Sequence, residues 1–133
     1  MSLIVAVTTP AGQFSGVAAP MGVEALLDLL EELQLRGQGY LEISRRDSDY
    51  PMLAVGLSGK HAVIHLFEAQ DAVSLLQGDG TVVSEVVEVP IMGELAPFDG
   101  VFAVSVEDVR PVVEQFARGG LLSNFLGAVW CRL

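Results

Sequence analysis

The sequence predicts a single α+β domain over residues 1–133, with a central antiparallel β-sheet laid out as a meander and packed by two main helices. Three observations predict it. Apolar residues recur at three- and four-residue steps from Val23 to Arg36, the period of an amphipathic helix. Five short apolar or β-branched runs then follow one another between Tyr40 and Val89, with turn-forming residues between them. A second helical segment opens at Ser105, with Glu107 and Asp108 in the first turn, where the helix dipole favours anions.

In chain order, Leu3 to Thr8 reads as a short strand that stops at Thr9-Pro10, and a Gly-, Ala- and Pro-rich connection runs on to Gly22. In the first helix Val23, Leu26, Leu27, Leu30 and Leu33 share one side, while Glu24, Asp28, Glu31 and Glu32 fall opposite. Arg36 suits the C-terminal end of the dipole, and Gly37 is a natural left-handed stop. The meander strands are Tyr40 to Ser44, Leu53 to Leu57, Ala62 to Phe67, Val73 to Leu76 and Val82 to Val89. Ser58-Gly59 and Asp79-Gly80 supply the positive φ angles of tight hairpins. Pro90 to Gly100 reads as a connection and Val101 to Val104 as a short strand.

The second helix is expected to run from its Ser105 cap to about Arg118 and to end at Gly119-Gly120. Pro111 removes a backbone hydrogen bond inside it, at a cost of roughly 3 kcal/mol in a regular helix, which predicts a kink or a restart there. Leu121 to Phe125 is an apolar loop, and Gly127 to Arg132 a closing strand whose Trp130 is expected to be largely buried. The expected core joins Leu26, Leu30 and Leu33 to Val109, Val113 and Phe116.

The composition excludes several classes of function. With 51% hydrophobic residues and a mean hydropathy of +0.51, the chain is too apolar for disorder. Seven Lys+Arg against seventeen Asp+Glu leave a net charge of −10, the wrong sign for a nucleic-acid surface and the right one for a basic protein partner. No apolar run reaches the roughly 18 residues that span a bilayer, so no membrane partner is expected. The N-terminus has neither the cationic start nor the apolar stretch of a secretory signal, and the expected location is cytoplasmic. A single cysteine, Cys131, forms no intrachain disulfide and reads as a small buried hydrophobe.

Catalytic and cofactor chemistry leave little trace. His61 and His65 lie four apart on a strand, about 13 Å, too far to share one metal. There is no G-x-S-x-G elbow, no G-x-G-x-x-G after a strand and no P-loop, and Lys60 is the only lysine. No catalytic residue, cofactor or metal is assigned. The carboxylates lie mostly in turns or on a polar helix face, without the burial that separates paired catalytic acids.

Three pieces of the second half resemble the Imm1 family of immunity proteins from bacterial polymorphic toxin systems. Tyr50-Pro51-Met52-Leu53-Ala54-Val55-Gly56, with Gly59 and the strand Ala62 to Phe67, is similar to the family's P-x-L-x-V-G strand, turn and following strand. Val104-Ser105-Val106-Glu107-Asp108-Val109 leading into Val113-Glu114-Gln115-Phe116 and Gly119 resembles its C-terminal helix, and Ala128-Val129-Trp130 its closing Trp strand. Pro111 and the segment Leu121 to Phe125 depart from the pattern. The resemblance implies a central antiparallel sheet packed by helices. It also implies an antitoxin that neutralises a cognate protein toxin with a basic active-site surface, often a nucleic-acid deaminase.

No toxin contact carries over from the family, so the binding residues are chosen on physical grounds. Asp47, Asp49, Asp71, Asp79, Glu85 and Glu88, at loops and strand edges, can enter a cationic cleft; the helix stripe Glu24, Asp28, Glu31 and Glu32 is the alternative surface. Two other classes compete with the immunity reading. One is a structural or scaffold subunit whose high apolar fraction covers a homodimer or larger homo-oligomer interface, and the other a small enzyme with a polar pocket the sequence does not locate.

Overall fold

A leucine stripe on one helix, a valine and phenylalanine stripe on another and strands that alternate in burial can satisfy one another only by stacking in layers. The computed structural model, which describes residues 3–78, 80, 82–119 and 129–133, has this arrangement. Its elements are β1 (Leu3–Val7), β2 (Ala19–Met21), α1 (Val23–Arg36), β3 (Gln38–Arg45), β4 (Met52–Ser58), β5 (His61–Ala69), β6 (Ala72–Leu76), β7 (Val86–Ile91), β8 (Glu94–Asp99), a 3₁₀ turn (Gly100–Phe102), β9 (Val104–Ser105), α2 (Val106–Ala117) and β10 (Trp130–Arg132). The α+β class and the two helices are as the sequence predicts.

Among the described residues, the main sheet runs β10-β6-β5-β4-β3-β1-β2, with β9 paired to β5, and every pairing is antiparallel. Its period of two sorts the side chains. Leu3 and Val5, Leu41 and Ile43, Leu53, Val55 and Leu57, and Ala62, Ile64 and Leu66 form one face, buried with Leu26, Leu27, Leu30 and Leu33 of α1 and Val109, Val112, Val113, Phe116 and Ala117 of α2. Gly37 ends α1 in the left-handed conformation, its N–H reaching the carbonyls of Leu33 and Gln34.

The other face carries a second layer that the sequence reading did not contain. The meander ends at β6. Gly80 has positive φ, but among the described residues β6 pairs with β5 and β10 and β7 with β8, so the expected strand pair flanking Asp79-Gly80 is not found. The expected strand Val82 to Val89 begins only at Val86, and the expected connection Pro90 to Gly100 holds β8. Met92-Gly93 makes the turn, with φ 54° and 89°, the two left-handed residues of a type I′ hairpin. Ile91 and Glu94 close that two-residue loop as a hydrogen-bonded pair, so Pro90 opposite Leu95 and Pro97 opposite Glu88 fall on the alternate pairs that need no N–H. The prolines that read as loop signals are therefore tolerated in the ribbon.

Val87 and Val89 turn inward to bury Val63, Leu75 and Ala103 in a smaller core, edged by Ile91, Phe98 and Phe102. Close approach is possible because β4 offers Gly56 there: a Cβ at that position would stand 2.3 Å from the Pro90 carbonyl oxygen.

Other expectations change in detail. The connection after Pro10 contains β2, paired with β1; of the expected strand Val101 to Val104, Val101 and Phe102 lie in the 3₁₀ turn and only Val104 is in a strand, β9. Ser105 precedes α2 without a side-chain cap; the Val106 N–H instead bonds to the Lys60 carbonyl. Pro111 does not restart a separate helix: α2 runs unbroken from Val106 to Ala117 with Pro111 inside it. Pro111 and Glu107 are exposed, so the Glu107 carbonyl that loses its partner lies on the watered side while the buried stripe keeps its spacing. Trp130 is half-buried against the main core rather than enclosed, and Cys131 beside it is half-buried too, because β10 is an edge strand. Gly120, the apolar segment Leu121 to Phe125, Gly127 and Ala128 lie outside the described residues.

Candidate functional site

The hairpin covers only part of the second face. Strand register places Ala6, Glu42, Ala54, His65 and Leu75 in one row across five strands, with Ser44, Met52, Phe67 and Val73 in a neighbouring row. Beyond the hairpin tip these rows border a groove of about 410 Å³, lined by Tyr40, Glu42, Tyr50, Met52, Ala54, His65, Phe67 and Gln70 with Ile91 and Met92 from the hairpin. Ala54 sits between Glu42 and His65 in the row, and its lone methyl leaves room above the sheet.

Two polar groups are set by their surroundings. The Tyr40 hydroxyl donates to Glu42 Oε2 at 2.6 Å. Burial, and then the hydrogen bond and charge of Glu42, push the Tyr40 pKa far above its usual range, so the phenol stays a proton donor. Phe14 packs edge-on against the Tyr40 ring and helps fix it. His65 stacks on Phe67, with centroids 6.1 Å apart, and meets Phe98 edge-on at 5.5 Å. Burial among these rings lowers its pKa to about 4, which leaves a neutral imidazole at pH 7. At neutral pH the groove thus combines one anchored carboxylate with aromatic and thioether surface.

A second hollow of about 480 Å³ lies between the first connection and the hairpin, lined by Thr8, Pro10, Ala11, Gly12, Arg36, Gln38, Gly39, Pro90 and Gly93. Its one cationic side chain, Arg36, is already engaged by Glu32 and directed at the Thr8 carbonyl. It offers less free chemistry than the groove.

The predicted acidic residues do not form one patch. Asp47 and Asp49, in the β3–β4 turn, and Asp71, in the β5–β6 turn, stand at the same end of the sheet, beside Tyr50 and Gln70 at the groove. Glu85 and Glu88 are exposed on the hairpin layer, Glu88 on the outer side of β7 between the buried Val87 and Val89. Asp79 lies outside the described residues. Among the described residues none of these five forms an ion pair, whereas in the exposed helix stripe Glu24 pairs with Arg118 at 3.6 Å and Glu32 with Arg36, leaving Asp28 and Glu31 free of ion pairs.

Tyr40, Glu42, Tyr50, Met52, Phe67 and Met92 were not among the sequence candidates. The signal for four of them was period two: Tyr40, Glu42, Met52 and Phe67 each occupy the face opposite Leu41, Ile43, Leu53 and Leu66. Met92 gave none, because Met-Gly is not a usual hairpin pair. His61 and His65 share that face, and no group of three or more His, Cys, Asp or Glu placed to hold a metal occurs among the described residues. No described helix is long and apolar enough to cross a membrane.

Compared with known protein families, with curated proteins and with solved structures, the chain has no match.

Proposed function

We propose that this protein is a non-catalytic immunity protein of the Imm1 type, acting in the cytoplasm by binding a cognate toxin domain that has a basic active-site surface, such as a nucleic-acid deaminase. The observation that carries the reading is the juxtaposition of Asp47, Asp49 and Asp71, which form no ion pair among the described residues, with a half-buried groove of Tyr50, Met52 and Phe67. Aromatic and Met side chains at the centre of a patch, with a charged rim around them, are the composition of protein-recognition surfaces. The net charge of −10 steers a cationic partner toward the protein and raises the rate of encounter. The pieces that resemble the family, the Tyr50–Gly56 segment with β5, and α2, supply the groove floor and the support beneath it.

Co-expression with the product of the adjacent open reading frame tests the reading. Protection of the cell together with a co-purifying complex is the expected result; unchanged toxicity, or a neighbour without toxicity, refutes it. A homo-oligomer is the second reading, favoured by the exposed Val83, Val86, Met92 and Leu95 in and just before the hairpin. Sizing chromatography of the protein alone distinguishes the two.

A further inference from the structure

The groove holds a feature that the acidic rim does not account for. Glu42 and His65 flank Ala54 in one row, two strand spacings or about 10 Å apart along the backbone, with only a methyl group between them. Tyr40 occupies Oε2 of Glu42, while no described residue donates to Oε1. The opposite side is aromatic, His65 stacked on Phe67, and it carries no positive charge at neutral pH. Tyr50 and Met52 close the end nearest the acidic turns.

An apolar occupant would strip water from the Glu42 carboxylate without replacing its interactions, and an anion would be repelled by Glu42 and by Asp47, Asp49 and Asp71. An ammonium group would neutralise the carboxylate, but it is strongly hydrated and has no flat face to lay on a ring. A guanidinium satisfies both walls: its N–H groups fork onto a carboxylate, and its plane stacks on aromatic rings. The protein already makes such a contact elsewhere, with the Arg45 guanidinium 4.7 Å from the centre of the Phe116 ring. We propose that the groove between Glu42 and the His65–Phe67 pair is the receptor for an arginine side chain projecting from the protein partner. This rests on the immunity reading for the identity of the partner, but not for the chemistry of the site.

The intact protein, isotopically labelled, is titrated with the peptide acetyl-Gly-Arg-Gly-amide and with its lysine and citrulline counterparts, citrulline being the uncharged isostere of arginine. Saturable amide shifts are expected in residues 40–42, 52–54 and 65–67, with arginine bound at least fivefold more tightly than lysine and at least tenfold more tightly than citrulline. Glu42→Gln is expected to weaken arginine binding at least fivefold. Should that variant fail to fold, Phe67→Leu keeps an apolar volume without the ring and is expected to weaken it severalfold. Equal affinity for citrulline or lysine, shifts confined to the acidic turns, or undiminished binding by a folded Glu42→Gln variant would each overturn the proposal. Protection in co-expression without arginine binding removes the groove assignment and leaves the immunity reading standing. Arginine binding without protection does the reverse.

Discussion

The two faces of the central sheet are made by alternate residues of the same strands, yet they are finished differently. On the helix side, Leu41, Ile43, Leu53, Val55 and Ile64 are fully buried beneath α1 and α2. On the other side the β7–β8 hairpin seals Val63 and Leu75 but stops short of Tyr50, Met52 and Phe67, which stay half-buried. One face is closed by the helices, and the other keeps apolar and charged surface partly exposed. The largest expected effect follows from this contrast. Phe116→Ala empties a site 2% exposed and is expected to cost about 3–5 kcal/mol. Phe67→Ala, at the groove, is expected to cost less than half as much. Urea unfolding of both variants checks it, and equal losses would break the comparison.

His65 gives the second face a pH dependence that the first lacks. In the unfolded chain its imidazole takes up a proton near pH 6.5; in the folded protein, burial delays that to about pH 4. Between these values the unfolded state binds more protons, so stability is complete above pH 6.5 and falls on acidification through that window, by about 3 kcal/mol at its lower end. The readout is the difference between the protein and His65→Gln, which cancels the contributions the two share. Whatever the difference at pH 7.5, it should shift by about 2–3 kcal/mol in favour of the variant by pH 4. A constant difference would mean that the imidazole is as well hydrated folded as unfolded.

Gly56 marks where the second layer touches the first. A methyl group there meets the Pro90 carbonyl at 2.3 Å, and Gly56→Ala is expected to cost about 1–3 kcal/mol by pushing the hairpin outward. Hydrogen exchange should report the loosening in β7 and β8 while the amides of α1 and α2 keep their protection. Uniform loss of protection would mean that the two layers unfold as one unit.

How much of this was legible in the sequence follows the same division. The helix face was readable because both helices and three strands repeat a simple period: Leu26, Leu30 and Leu33, Val109, Val113 and Phe116 all lie in the predicted core. The boundaries of α1 also follow from its stripe and from Gly37. The hairpin was not readable, since Met92-Gly93 lacks the usual turn residues and Pro90 and Pro97 look like breaks until register puts both on non-bonded pairs. Without the hairpin the groove lacks the wall made by Ile91 and Met92, and the second-face residues of β3, β4 and β5 read as ordinary sheet surface. The acidic residues were found as charges but not as a set, because the expected meander kept Glu85 and Glu88 in the same sheet as Asp47, Asp49 and Asp71, whereas the structure carries them on a separate hairpin layer.

The smallest effects separate the two acidic surfaces. Asp47, Asp49 and Asp71 form no ion pair among the described residues and lie in the two turns that contribute Tyr50 and Gln70 to the groove, so a cationic partner gains their full attraction as it approaches. Glu24 and Glu32 already face Arg118 and Arg36, and α1 presents them on the layer opposite the groove. Replacing the three aspartates by asparagine is therefore expected to slow association with the proposed toxin about tenfold at low salt, and about 500 mM salt, which shortens the Debye length to a few ångströms, should erase the difference. Replacing Glu24, Asp28, Glu31 and Glu32 by their amides should slow it less than threefold and change stability by no more than about 0.5–1 kcal/mol, since exposed ion pairs contribute little. Stopped-flow association of both variants provides the test. A larger effect from the helix stripe would move the interface to the helix side and leave the groove without a part in recognition.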